Sequence, residues 1–90
     1  MESIGLLEVQ ALAAAIEGLD AMLKSANVHL IHIERRLGGR LVTVVIAGSV
    51  SAVASAIEAG KSAASKIGKV KCAEVIARPH EEVTKFFKKM

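Results

Sequence analysis

Val28-His29-Leu30-Ile31-His32-Ile33-Glu34-Arg35-Arg36 and Leu41-Val42-Thr43-Val44-Val45-Ile46-Ala47 are two strand-like runs joined by Leu37-Gly38-Gly39-Arg40. Both runs are rich in β-branched and apolar residues, and a Gly-Gly connection between such runs predicts a tight β-hairpin. What flanks the hairpin on each side decides the fold.

Upstream, Ser3–Gln10 reads as a strand, with Ile4, Leu6 and Leu7 apolar and Gly5 permitting close backbone packing. Ala11–Ala26 reads as a helix. Leu12, Ile16, Leu19 and Leu23 recur at helical spacing and are the expected buried face. Asp20 and Lys24 form an i,i+4 pair of favourable order, and Asn27 is a helix stop. Downstream, Ser49 is an N-cap residue for a helix over Val50–Ile67, with Val53, Ile57, Ala64 and Ile67 on one face. Gly60 shares that face, which predicts a close helix–sheet contact, and Gly68 suits the C′ position. Lys69–Ala77 is a fourth strand, Arg78-Pro79-His80 a turn, and Glu81–Lys89 a short helix.

The order βαββαβ predicts an α+β fold. It is a ferredoxin-like antiparallel sheet with two main helices on one face, plus a short C-terminal helix. The second sheet face is left for a partner subunit or that terminal helix. Residues 1–90 read as a single domain, with a core over about 3–84 and a tail at 85–90.

Composition narrows the function. The chain is 52% hydrophobic with a mean hydropathy of +0.45, high for a domain this small. Burial against copies of itself is the natural outlet. Residues 1–60 carry four basic and six acidic side chains, and residues 61–90 eight and three. The lysine-rich last third reads as a solvated surface, because no aromatics interleave with it to stack on bases, so no nucleic-acid partner is expected. No run approaches the roughly 20 apolar residues of a membrane span. Met1-Glu2-Ser3 does not open a secretory signal. The single Cys72 permits no intrachain disulfide, fits a reducing cytoplasm, and reads as a small buried strand residue.

No catalytic set is visible. Ser51, Ser55, Ser62 and Ser65 lie on a polar helix side, and Glu8, Glu17, Asp20 and Glu34 are scattered. His29 and His32 are three apart in one strand, which places them on opposite faces and argues against a shared metal. His80, after Pro79, reads as making a local or interfacial hydrogen bond. No cofactor or metal is expected.

Several stretches, taken in order, resemble the shell proteins of bacterial microcompartments. They are Ile4-Gly5-Leu6-Leu7-Glu8-Val9, Asp20-Ala21-Met22-Leu23-Lys24-Ser25-Ala26-Asn27-Val28, Gly48-Ser49-Val50-Ser51-Ala52-Val53 and Val75-Ile76-Ala77-Arg78-Pro79-His80. The likeness is to the single-domain, hexamer-forming kind found in propanediol and ethanolamine utilisation. It implies a non-enzymatic protein of the bacterial cytoplasm whose homo-hexamers tile with other shell proteins around encapsulated enzymes. It also implies roles by position. Lys24, Asn27, Arg78 and His80 would lie at the tile edge. Leu37, Gly38, Gly39 and Arg40 would form a pore loop passing small metabolites, with Arg36 as its flank. Arg35-Arg36-Leu37-Gly38-Gly39-Arg40 is one residue longer and more basic than the family's usual Gly-Ser-Gly loop, and Ala77 stands where a proline is usual. From the residues alone, the same fold also suits a regulatory oligomer that binds a small ligand between subunits.

Overall fold

The computed structural model describes residues 2–89. The chain runs β1 (Ser3–Gln10), α1 (Leu12–Ser25), β2 (Val28–Arg36), a tight turn (Leu37–Gly39), β3 (Leu41–Gly48), α2 (Val50–Ser65), β4 (Val70–Ile76) and α3 (Glu81–Lys89). The strands form one sheet in the order β2-β3-β1-β4, every neighbouring pair antiparallel. This is the expected ferredoxin-like α+β arrangement, with α1 and α2 packed side by side on one face.

The Gly-Gly turn forms because Gly38 and Gly39 take φ of 67° and 89°, open to glycine without a Cβ penalty. Ser49 caps α2 as expected, its Oγ accepting the Ala52 N–H at 3.2 Å. The core is built from Leu7, Val9, Val42, Val44 and Ile46 of the sheet, and from Val53, Ala56, Ile57 and Ala64 of α2.

Helix α1 departs from its expected orientation. It buries Ala14, Ala15, Gly18 and Met22. Leu12, Ile16 and Leu23 are 37%, 50% and 44% exposed. The buried stripe lies roughly a third of a turn from the leucine stripe. The cause is close helix–helix packing. A Cβ on Gly60 would stand 2.5 Å from Met22 Cγ and 3.3 Å from the Gly18 carbonyl oxygen. Only small residues allow the two backbones to approach so closely, so Gly60 serves a helix–helix contact and not the expected helix–sheet one.

Other details also shift. Helix α2 ends at Ser65, which leaves Ile67 beyond it and 52% exposed rather than on the buried face. Lys66 is the C-cap, and Gly68 is not among the left-handed glycines. A side chain at Gly68 would run into the Gln10 carbonyl oxygen, where Gln10 N–H donates to Lys69 O at 2.8 Å. Cys72 is exposed rather than buried. Ala73 and Val75 take the helix-facing register opposite Leu7 and Gly5, so Cys72, opposite Glu8, points the other way. On that second face α3 covers only one end, over Ile4, Ile31 and Ala47.

Gly5 lies at a close helix–sheet contact. An added Cβ would lie 2.8 Å from Val53 Cγ1 and 2.9 Å from Ile57 Cδ1. Both neighbours are buried and hemmed in, so Gly5→Ala should destabilise the fold by about 1–3 kcal/mol. Chemical denaturation at fixed protein concentration checks this; an unchanged midpoint would show that α2 is free to shift.

Candidate assembly edge and hairpin loop

The residues singled out in the sequence fall into two groups at opposite ends of the sheet. The hairpin loop lies at one end, beyond the paired Arg36 and Leu41 and beside Gln10, the partner of Leu41 on β1. Asn27 and Arg78 lie at the other, just outside the pairs Val28–Gly48 and Ile4–Ile76. Eight residues of β1 separate the ends, about 24 Å along the strand. The described chain measures 32 × 26 × 16 Å, a flat slab.

At the loop end, Arg35 pairs in register with Val42 and Arg36 with Leu41, so the two arginines lie on opposite sheet faces. Arg35 borders a hollow with Leu12, Gly38 and Gly39 on the helix side. The Arg40 carbonyl accepts the Ala11 N–H at 3.2 Å and ties the loop to the start of α1. Ala11 takes φ 80° and ψ 136° there, a conformation that costs a residue with a Cβ about 1–3 kcal/mol. Leu37 opens the turn; its side chain lies outside the described residues.

At the far end, Lys24 sits in the last turn of α1, 2.8 Å from Asp20 Oδ2, with the two side chains 76% and 52% exposed. The hydrogen bond from Lys24 to Asp20, and then the carboxylate's charge, raise the lysine above its ordinary value. Asn27 is exposed in the link to β2. Arg78 is exposed and held at φ 48°, next to the buried Pro79. His80 caps α3: its Nδ1 accepts the Glu82 N–H at 3.1 Å, and its carbonyl accepts from Val83 and Thr84 at 2.9 and 3.1 Å. The expected local hydrogen bond of His80 is therefore present. Lys24 and Asn27 adjoin β2 while Arg78 and His80 follow β4, the opposite outer strand. Three strand spacings, roughly 14 Å, lie between them. Within one chain they form no single site.

The histidines of β2 differ from expectation. A β-bulge between Leu30 and His32 puts His29 opposite Ala47 and His32 opposite Val45, on the same sheet face. Each has its own carboxylate: His29 Nε2 lies 3.3 Å from Glu2 and His32 Nε2 3.0 Å from Glu34. Beside them Thr43 Oγ1 donates to Glu8 Oε2 at 2.9 Å. Among the described residues no three His, Cys, Asp or Glu side chains group in a metal-binding arrangement. Among the described residues no helix is long and apolar enough to cross a membrane.

Topology and residue placement define a ferredoxin-like α+β slab with a glycine loop at one end and exposed polar groups at the other. The BMC domain family profile matches residues 3–79. The chain is 49% identical to the bacterial microcompartment shell protein PduA of Citrobacter freundii, covering 98% of this chain and 94% of that protein. It is 40% identical to the shell protein EutM of Salmonella typhimurium, covering 97% and 90%. A microcompartment protein from Desulfitobacterium hafniense DCB superposes with a TM-score of 0.85 at 38% identity, covering 99% of this chain. This chain spans 48% of the length of that solved structure. The chain belongs to the BMC-domain family of bacterial microcompartment shell proteins. Like those relatives, it is a structural protein and not an enzyme.

Asp20→Asn should lower the Lys24 pKa toward the ordinary lysine value. A raised lysine pKa in the fold means that the pair is present below the unfolded lysine pKa and is lost as pH rises through the folded one. An NMR titration of the Lys24 side chain checks this, and an unchanged pKa in the variant would show that Asp20 is not the cause.

Proposed function

We propose that the chain is a tile of a microcompartment shell in the bacterial cytoplasm, a single domain of 1–90 whose homo-hexamers meet edge to edge with one another and with other shell proteins around encapsulated enzymes. The observation that carries this reading is the separation of the hairpin loop from Lys24, Asn27, Arg78 and His80 by the length of a thin sheet. A ring of copies with loops at the axis turns the far ends outward. Lys24 and Arg78, on opposite outer strands of one chain, then meet only between copies. A lysine suits that position, because its methylenes cover apolar surface while its ammonium reaches carbonyls or water. Arg78 adds several donors in a fixed fork.

In this reading Leu37, Gly38, Gly39 and Arg40 ring a central pore. Glycines at a crowded axis keep it open, and inward backbone N–H groups favour anionic or hydrogen-bonding solutes. Repetition of Arg36 around the axis adds positive charge at the mouth, so small anionic or polar metabolites pass in preference to cations.

Lys24→Ala should leave the individual oligomer intact and abolish extended sheets under negative-stain electron microscopy, because edge packing is lost while contacts within the ring are not. Normal sheets from the variant would contradict the edge assignment. Reconstituted shells should pass small anions faster than cations of equal size, with the ratio falling toward one in Arg36→Gln. Equal permeation by the unaltered protein would remove the pore reading.

A further inference from the structure

Helix α3 is nine residues long, and none of its side chains is fully buried. A helix that short is marginal by itself and depends on its first turn and on its seat. The seat is the sheet end formed by Ile4, Ile31 and Ala47, which Thr84 and Phe87 of α3 overlie. With α3 in place Ile4 and Ala47 are 4% and 3% exposed.

The first turn is held by His80. Its ring Nδ1 accepts the Glu82 N–H at 3.1 Å, and its carbonyl accepts from Val83 and Thr84 at 2.9 and 3.1 Å. Serine, threonine, aspartate or asparagine is the usual side-chain acceptor at a helix start, and each accepts throughout the neutral pH range. A histidine accepts only while its ring is neutral, because both ring nitrogens of the imidazolium are donors. Protonation also sets a positive charge against the positive end of the helix dipole. Imidazole is the side chain whose charge ordinarily changes between about pH 5 and 8. The ring of His80 is exposed, so protons reach it without any opening of the fold.

The charged surroundings leave this contact decisive. Glu81 and Glu82, in the same turn, would attract an imidazolium, but both are drawn along the helix toward Lys85, at 3.4 and 3.7 Å. Arg78, exposed two residues earlier, disfavours a second positive charge. On the sheet beneath α3, Glu2 is engaged with His29 at 3.3 Å. Lys88 stands near the other end of the helix.

We propose that His80 is a pH-operated latch on α3. Neutral, it caps the helix and keeps it seated. Protonated, it releases the first turn, and α3 lifts away from Ile4, Ile31 and Ala47 about the buried Pro79. The direction is fixed by the chemistry: α3 is closed at higher pH and opens as the pH falls through the imidazole range. The latch lies within one chain and does not depend on how copies assemble.

The full chain would be followed by NMR from about pH 7.5 to about pH 5.5, with the His80 ring signals reporting its protonation. Amide exchange of Glu82, Val83 and Thr84, taken relative to an unstructured chain at the same pH, should lose about five- to tenfold of its protection as the ring titrates, the scale of one lost helix cap. The methyl signals of Ile4, Ile31 and Ala47 should move over the same pH range. His80→Asn keeps an acceptor that does not titrate and should hold α3 protected at both ends of the range. His80→Ala should show the low protection at both. Undiminished protection while the ring of His80 takes up its proton would overturn the proposal. So would an unaltered pH response in His80→Asn, which would assign the effect to Glu2 and His29, or full protection in His80→Ala.

Discussion

Gly18 on α1 and Gly60 on α2 fix how closely the two helices approach, since a Cβ on Gly60 would fall within 3.3 Å of the Gly18 carbonyl oxygen and closer still to Met22. Much of the remaining architecture depends on that contact. Only the small-residue stripe of α1 can enter it, so Ala14, Ala15 and Gly18 turn inward and Met22 fills the irregular space that remains. Both helices then fit on one face of a four-stranded sheet with Val53 and Ile57 over Gly5. The slab is 16 Å thick as a result. The same rotation turns Leu12, Ile16 and Leu23 toward solvent. An exposed apolar stripe of this kind is costly on an isolated chain and useful on one that meets copies of itself.

Sheet topology does for function what helix packing does for shape. With β1 central and antiparallel to both neighbours, the β2–β3 hairpin is directed to one end, and the α1–β2 link and the turn after β4 to the other. A thin element with different chemistry at its two ends is suited to radial repetition: in the proposed ring the glycine loop with basic flanks would face the axis, and the charged side chains the rim. No residue has to move for this, and no reactive group is required.

Much of the fold was legible in the sequence. β1, β2 and α3 begin and end at the expected residues, because β-branched runs, the Gly-Gly turn and the break at Pro79 are local signals. Ser49 was readable as a cap for the same reason. The buried side of α1 was not, because four large apolar residues at helical spacing outweigh alanine and glycine in any periodicity, and only the partner helix shows that small residues are required. Cys72 and the histidines of β2 depended on strand parity. A bulge at Ile31 reverses that parity for His29 and His32, and no residue type in that stretch announces it. Lys24, Asn27, Arg78 and His80 are individually ordinary exposed groups. The common edge role proposed for them rests on family resemblance, since the fold places them on opposite outer strands and no single chain brings them together.

The central claim is that this slab is a repeating unit, and the assembly state of the purified chain tests it most directly. Native mass spectrometry followed by negative-stain electron microscopy should show a complex of six chains that goes on to form flat sheets or tubes. A monomer, or a small closed oligomer such as a trimer that never tiles, would contradict the account and favour a ligand-binding regulatory oligomer built on the same fold.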